Sequence, residues 1–110
     1  MNQCIFCKIA KHEMPKEFTY ESEQVMAFPD IHPLRPVHLL VIPKKHIPDF
    51  TDLAAEKEVF WEMKEVLQKL IKDNGLDTKG YRIGVNGGGA QLIDHLHFHI
   101  LGPVKRTDQM

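Results

Sequence analysis

Near the C-terminus, histidine alternates with apolar side chains: His95, Leu96, His97, Phe98, His99, Ile100. An extended strand puts positions two apart on one face, whereas a helix would scatter the three histidines around its circumference. The pattern therefore predicts a half-buried strand, with Leu96, Phe98 and Ile100 against a core and three imidazoles in a row on the other side. Neighbours in such a row lie roughly 6–7 Å apart. Zinc–nitrogen bonds of about 2.0–2.1 Å must converge on one point. One or two of the three can ligate a metal, but all three on one ion is a poor fit. The plainest alternative is a surface row of polar residues that happen to be histidine.

Other segments give the strand its setting. Phe18 to Phe28 reads as two short strands around a polar turn at Glu21–Glu23, and Pro29 to Pro36 as turns and extended chain. Val37 to Pro43 reads as a strand with His38, Leu40 and Ile42 on one face. Thr51 or Asp52 can cap a helix with Glu56 in its first turn. Val59, Phe60, Met63, Val66, Leu67, Leu70 and Ile71 make that helix amphipathic, and Asn74-Gly75 ends it. Trp61 lies off the stripe, either as a partly exposed aromatic or as a contact with another subunit. Tyr81 to Val85 is a further strand, followed by Asn86 and three glycines. Strands, one long helix and strands again predict an α+β domain with a mainly antiparallel sheet. The 110 residues fit a single domain over 1–110.

Three groups of residues could carry chemistry. Gly87, Gly88 and Gly89 can turn backbone N–H groups inward to form an anion nest, with Asn86 as an added donor. A plain hairpin loop is the simpler reading, and the spacing matches neither a P-loop nor a dinucleotide fingerprint. Beside histidines the nest gains meaning, because imidazoles and backbone donors suit a phosphate and an imidazole nitrogen can itself accept a phosphoryl group. Cys4 and Cys7 form a Cys-x-x-Cys pair. No strand precedes it, so a redox motif fits poorly. Two thiolates with two histidines from elsewhere make a tetrahedral zinc site, and two reduced, unliganded thiols remain the alternative. His12 and His32 read as exposed histidines without a role, and Lys44 and Lys45 as a solvated strand end.

The formal net charge of −1 gives no electrostatic argument for nucleic acid or membrane partners. No apolar run is long enough to span a bilayer, and the first residues lack the apolar core of a secretory signal. A cytoplasmic protein is the expectation.

Taken together these blocks resemble the histidine triad family, in particular its nucleotide-binding branch and bacterial relatives. The resemblance rests on Cys4–Ile9, Ala27–Ile31, Pro36–His46, Gly80–Arg82 with Asn86, and Gln91 leading into His95–His99. It implies an antiparallel meander sheet with one long helix and a short N-terminal helix, two sheets being joined across a homodimer. It implies a hydrolase that cleaves the α-phosphate bond of purine nucleoside phosphoramidates or related conjugates, dinucleoside polyphosphates included. His97 would be the nucleophile, forming a nucleotidyl intermediate, with His38 and His99 holding the phosphate. Asn86 and Gln91 would contact the phosphate or leaving group, and Asp30 the ribose hydroxyls. Ile5, Phe6, Ile9, Phe28 and Ile31 would form the slot for the base. By the same resemblance Cys4, Cys7, His46 and His95 hold a structural zinc, and the chemistry requires no metal. The rivals are a nucleotide-binding regulatory module with vestigial catalysis and a hydrolase whose histidines hold a catalytic zinc. Leu92 departs from a small hydroxyl residue, Asp94 from an aromatic or apolar one, and the glycine loop is short.

Overall fold

The computed structural model describes residues 4–108. A short helix, α1 (Ile5–Ala10), precedes strands β1 (Tyr20–Glu21), β2 (Val25–Pro29) and β3 (Val37–Pro43). A 3-10 turn over Phe50–Ala55 leads into the long helix α2 (Lys57–Asp73), followed by a single turn, α3 (Leu76–Lys79), and strands β4 (Arg82–Val85) and β5 (Phe98–Gly102). The five strands form one antiparallel sheet in the order β1-β2-β3-β5-β4. The α+β expectation is therefore met. The last strand inserts between β3 and β4, which places the histidine segment in the middle of the sheet.

The two faces of the sheet are covered by different helices. Val25, Ala27, Leu39, Val41, Phe98 and Ile100 pack with the apolar stripe of α2. Met26, Phe28, Leu40 and Ile42 pack with Phe6 and Ile9 of α1. This second layer corrects the half-buried strand. The histidine face is also covered, and His95 is 0% and His97 7% exposed. Only His99 lies within the regular span of β5, since His97 precedes the strand and His95 sits in the bend before it.

Two further expectations change at the helix. Asp49, not Thr51 or Asp52, is the cap, and it caps the 3-10 turn through a reciprocal pairing with Asp52. Helix α2 then begins at Lys57 with no side-chain cap. Phe60 turns outward and is half-exposed, while the other six residues of the stripe are buried. Met63 is fully buried in the middle of that stripe. Met63→Ala should destabilise the protein by about 2–5 kcal/mol, through lost burial and the cavity it leaves, read from denaturant midpoints at unchanged slope. The charged groups near β3 are also more organised than the sequence implied. Lys44 and His12 both reach Glu21, at 2.7 and 2.9 Å, and Lys45 reaches Glu56 at 2.6 Å.

Candidate active site

Register brings the catalytic candidates together. Across the sheet Leu40 of β3 faces His99 of β5, which faces Gly84 of β4; two residues along, His38 faces Leu101. His38 and His99 therefore stand on the same face, and His38 Nε2 lies 2.9 Å from His99 Nδ1. The His97 ring packs 5.1 Å from that of His99 and, edge to face, 5.2 Å from Phe6 of α1. Asp30 Oδ2 comes within 3.4 Å of His38 Nε2. Asn86 lines a cleft with Leu34, His38, Gly84 and His99.

The partners fix where each proton sits. The Leu34 backbone N–H can only donate, and it points at His38 Nδ1 at 3.1 Å. The His38 proton is therefore on Nε2, which donates to His99 Nδ1. That leaves the His99 proton on Nε2, a buried atom with no hydrogen-bond partner among the described residues. The adjacent imidazole has the opposite polarity. The His95 carbonyl can only accept, and it lies 2.8 Å from His97 Nδ1. The His97 proton is held there, and Nε2 keeps its lone pair. A free donor on His99 and a free lone pair on His97 thus stand side by side. A buried, unpaired N–H is costly and calls for an acceptor from outside the chain.

Burial disfavours the charged form of His38 and His99. It pushes His38 below the ordinary value of 6.5, against an opposing pull from Asp30. It also lowers His99, with smaller contributions from the His97 and His38 charges. A lowered folded pKa means that the neutral form, and its share of stability, is fully present above pH 6.5 and is lost as pH falls through the shifted values. Protonating His99 Nδ1 would also break the directed chain from Leu34. The acidic limb of a kcat/KM profile should therefore fall below pH 6.5, the unperturbed value. A rate that instead falls as pH rises through 6.5 would show that the histidines act as imidazolium.

A second histidine system lies next to the first. Cys7 Sγ is 3.1 Å from His46 Nδ1 and 3.5 Å from His95 Nδ1, Cys4 Sγ is 3.3 Å from His95 Nδ1, and the two Nδ1 atoms are 3.3 Å apart. Metal bonds of about 2.0–2.3 Å in tetrahedral geometry require edges of about 3.3–3.8 Å, so the donor set has the size of a zinc site. The polarity also fits. His95 Nε2 donates to the Pro43 carbonyl at 2.7 Å, which turns the Nδ1 lone pair toward the thiols. Burial pushes the Cys4 thiol up and His95 down to about 4.

Asp30, His38 and His99 form another group of metal-ligand types within reach of one another. There the Leu34 N–H imposes the reverse tautomer, with His38 presenting a proton where a metal needs a lone pair. Outer hydrogen bonds separate two clusters that composition alone would treat alike.

The remaining candidates lie further out. Gln91 is held within its own loop: its Oε1 accepts the Gly89 N–H at 3.0 Å and its Nε2 donates to the Pro48 carbonyl at 3.2 Å. The glycine loop turns one N–H onto a carboxylate of this chain, the Gly88 N–H donating to Asp49 Oδ1 at 2.8 Å. Gly88 and Gly89 both take positive φ, a conformation that suits glycine. Phe6, Ile9 and Phe28 are buried in the second core layer, while Ile5 and Ile31 are exposed beside it. Lys16 Nζ sits 4.9 Å over the Phe28 ring. Sequence reasoning missed the Leu34 N–H and the His95 and Pro43 carbonyls, because backbone groups leave no trace in residue identity. It also missed Asp49, although Asp49-x-x-Asp52 is a readable capping pattern.

His38 and His99, joined by a hydrogen bond and ending in an unpartnered donor, stand on the α+β sheet beside His97, whose Nδ1 is held by the main chain. The chain belongs to the histidine triad family. Residues 3–110 match the family model described as scavenger mRNA decapping enzyme C-term binding. Protein HitA of Neisseria gonorrhoeae is 40% identical over 105 residues, covering 93% of this chain and 97% of that protein. Purine nucleoside phosphoramidase of Escherichia coli K12 is 38% identical over 103 residues, covering 91% and 87%. The crystal structure of a HIT family hydrolase from Legionella pneumophila superposes with a TM-score of 0.88 at 40% identity, covering 96% of each chain.

Proposed function

We propose that this histidine triad hydrolase cleaves the α-phosphate bond of purine nucleoside phosphoramidates or related nucleotide conjugates. The observation that carries the reading is the pair of complementary orphan atoms, the His97 Nε2 lone pair and the His99 Nε2–H. The His97 nitrogen attacks the α-phosphorus, a nitrogen–phosphorus bond forms, and the bond to the leaving group breaks, the departing amine keeping the bonding pair and taking a proton from solvent. The His99 Nε2–H, polarised through His38, donates to a phosphate oxygen as negative charge builds there. Water then hydrolyses the nucleotidyl-His97 intermediate and releases a nucleoside monophosphate. Asp30 accepts from the ribose hydroxyls, Asn86 faces the phosphate cleft, and Gln91 reaches the leaving group once its loop contacts exchange. The base rests between exposed Ile5 and Ile31, over a floor of Phe6, Ile9 and Phe28. The relative in Escherichia coli, named for purine nucleoside phosphoramidase activity, supports this substrate class.

Cys4, Cys7, His46 and His95 would hold zinc. With four protein ligands the site is closed, so the metal ties α1 to the approach of β5 and supplies no reaction step. Reduced thiols at this site suit a cytoplasmic setting. A homodimer completes the reading, with two sheets joined. The edge strand β4 presents Ile83 to solvent and Trp61 is exposed on α2. Among the described residues no helix is long and apolar enough to cross a membrane.

The direct test is turnover of an adenosine phosphoramidate bearing a fluorescent amine, in buffer with chelator added to the assay. Amine release at rates of about 0.1–10 per second or faster is expected, within the ordinary range of enzymes. Saturable binding of adenosine monophosphate without release of any leaving group would instead place the chain with nucleotide-binding regulatory modules.

A further inference from the structure

Four consecutive residues after β3 each hold a different part of the histidine apparatus. His46 Nδ1 meets His95 Nδ1 at 3.3 Å. The Ile47 carbonyl accepts the Leu96 N–H at 2.6 Å. The Pro48 carbonyl accepts from the Gln91 amide at 3.2 Å, and Asp49 Oδ1 accepts the Gly88 N–H at 2.8 Å. Residues 46–49 thus form a strut along which the cysteine–histidine cluster, the triad segment and the glycine loop are fastened in sequence.

Asp49 is the end of the strut, and its carboxylate is itself immobilised. Its Oδ2 accepts the Thr51 hydroxyl at 2.6 Å and the Thr51 N–H at 3.3 Å, and its own N–H donates to Asp52 at 3.1 Å. The 3-10 turn therefore holds the clamp, and the clamp holds the loop. The approach is close enough to require glycine at 87. A Cβ there would stand 2.6 Å from Asp49 Oδ1.

We infer that Asp49 is a positioning residue, whose fixed carboxylate accepts the Gly88 N–H and thereby sets the conformation of the loop that carries Asn86 and Gln91. The inference rests on the proposed nucleotide site and adds the means by which its phosphate side is held. A clamp of this kind gives the short loop a defined shape before substrate arrives. The carboxylate takes the Gly88 N–H that a substrate phosphate would otherwise occupy, so the phosphate is left to His97, His99 and Asn86.

Two variants of the full-length protein test this. Asp49→Ala removes both clamp and cap, whereas Gly87→Ala pushes the loop off the clamp while Asp49 can still cap Thr51. In both, amide hydrogen exchange at Gly88, followed by nuclear magnetic resonance, should accelerate by about tenfold, the scale of one lost hydrogen bond. Affinity for adenosine monophosphate and kcat/KM should both weaken by about three- to tenfold. In Gly87→Ala the unfolding midpoint and metal content should match the wild type. Gly88 exchange at the wild-type rate in either variant would overturn the clamp. Faster exchange with wild-type nucleotide affinity and kcat/KM would overturn the positioning role. If the wild type itself binds no adenosine monophosphate, the functional reading fails, and the positioning role fails with it. Gly88 exchange would still report the clamp.

Discussion

His97→Ala should reduce turnover of a nucleoside phosphoramidate by about four orders of magnitude or more, the scale on which loss of a covalent nucleophile is felt. No other described nitrogen can take its place. His99 Nδ1 already accepts from His38, and its Nε2 carries the proton. His38 Nδ1 accepts from the Leu34 N–H. The substitution also opens space beside Phe6, so adenosine monophosphate binding should be measured on the same preparation. Retained binding with lost turnover isolates the chemistry. In the wild type, rapid quenching should trap a protein-linked nucleotide that is absent from the variant. Turnover within about tenfold of wild type would falsify the nucleophile assignment, since a change that small is the scale of a lost hydrogen bond.

Loss of metal should be as decisive for stability. Protein prepared without chelator should carry one zinc per chain, and Cys7→Ser should carry none, because Cys7 touches both histidines of the cluster. Metal bound to the native state alone contributes several kcal/mol or more, while the net stability of a domain is about 5–15 kcal/mol. The variant, or wild type stripped with a strong chelator, should unfold more than about 10 °C lower than the loaded protein. Wild type that unfolds at the same temperature with and without chelator would leave the four residues as hydrogen-bonded thiols and imidazoles. The two experiments are independent. Chelator present only in the assay should leave turnover intact where the closed site retains its ion.

Much of this protein was legible in its sequence, and the reasons for the exceptions are physical. Alternation over His95 to Ile100 gave the right faces: Leu96, Phe98 and Ile100 all join the α2 side of the core. It could not show that the opposite face is covered as well, because that cover comes from α1, ninety residues away in sequence. Phe60 fits the helical spacing, yet it lies just outside the buried arc. Periodicity locates an arc to within about one position, and packing decides its edge. The glycine run announced a loop whose backbone N–H groups meet acceptors. One of them, Asp49, could be found only once β3 and the 3-10 turn had placed that carboxylate beside the loop.

The polarity of the histidine relay is set by the main chain. The Leu34 N–H points the His38 proton toward His99, and the His95 carbonyl points the lone pair of His97 outward. Ordinary substitutions change side chains and leave these groups in place. Most of the surrounding residues, Leu92 and Asp94 among them, can therefore vary without reversing the direction in which these imidazoles face. Leu34 is the exception in kind. Proline there, like that at positions 33 and 36, would remove the one N–H that tells the pair which way to face. Under the proposed reaction, new leaving-group preferences are thus open to evolution at little risk, while the orientation of the imidazoles is insulated from most substitutions of their neighbours.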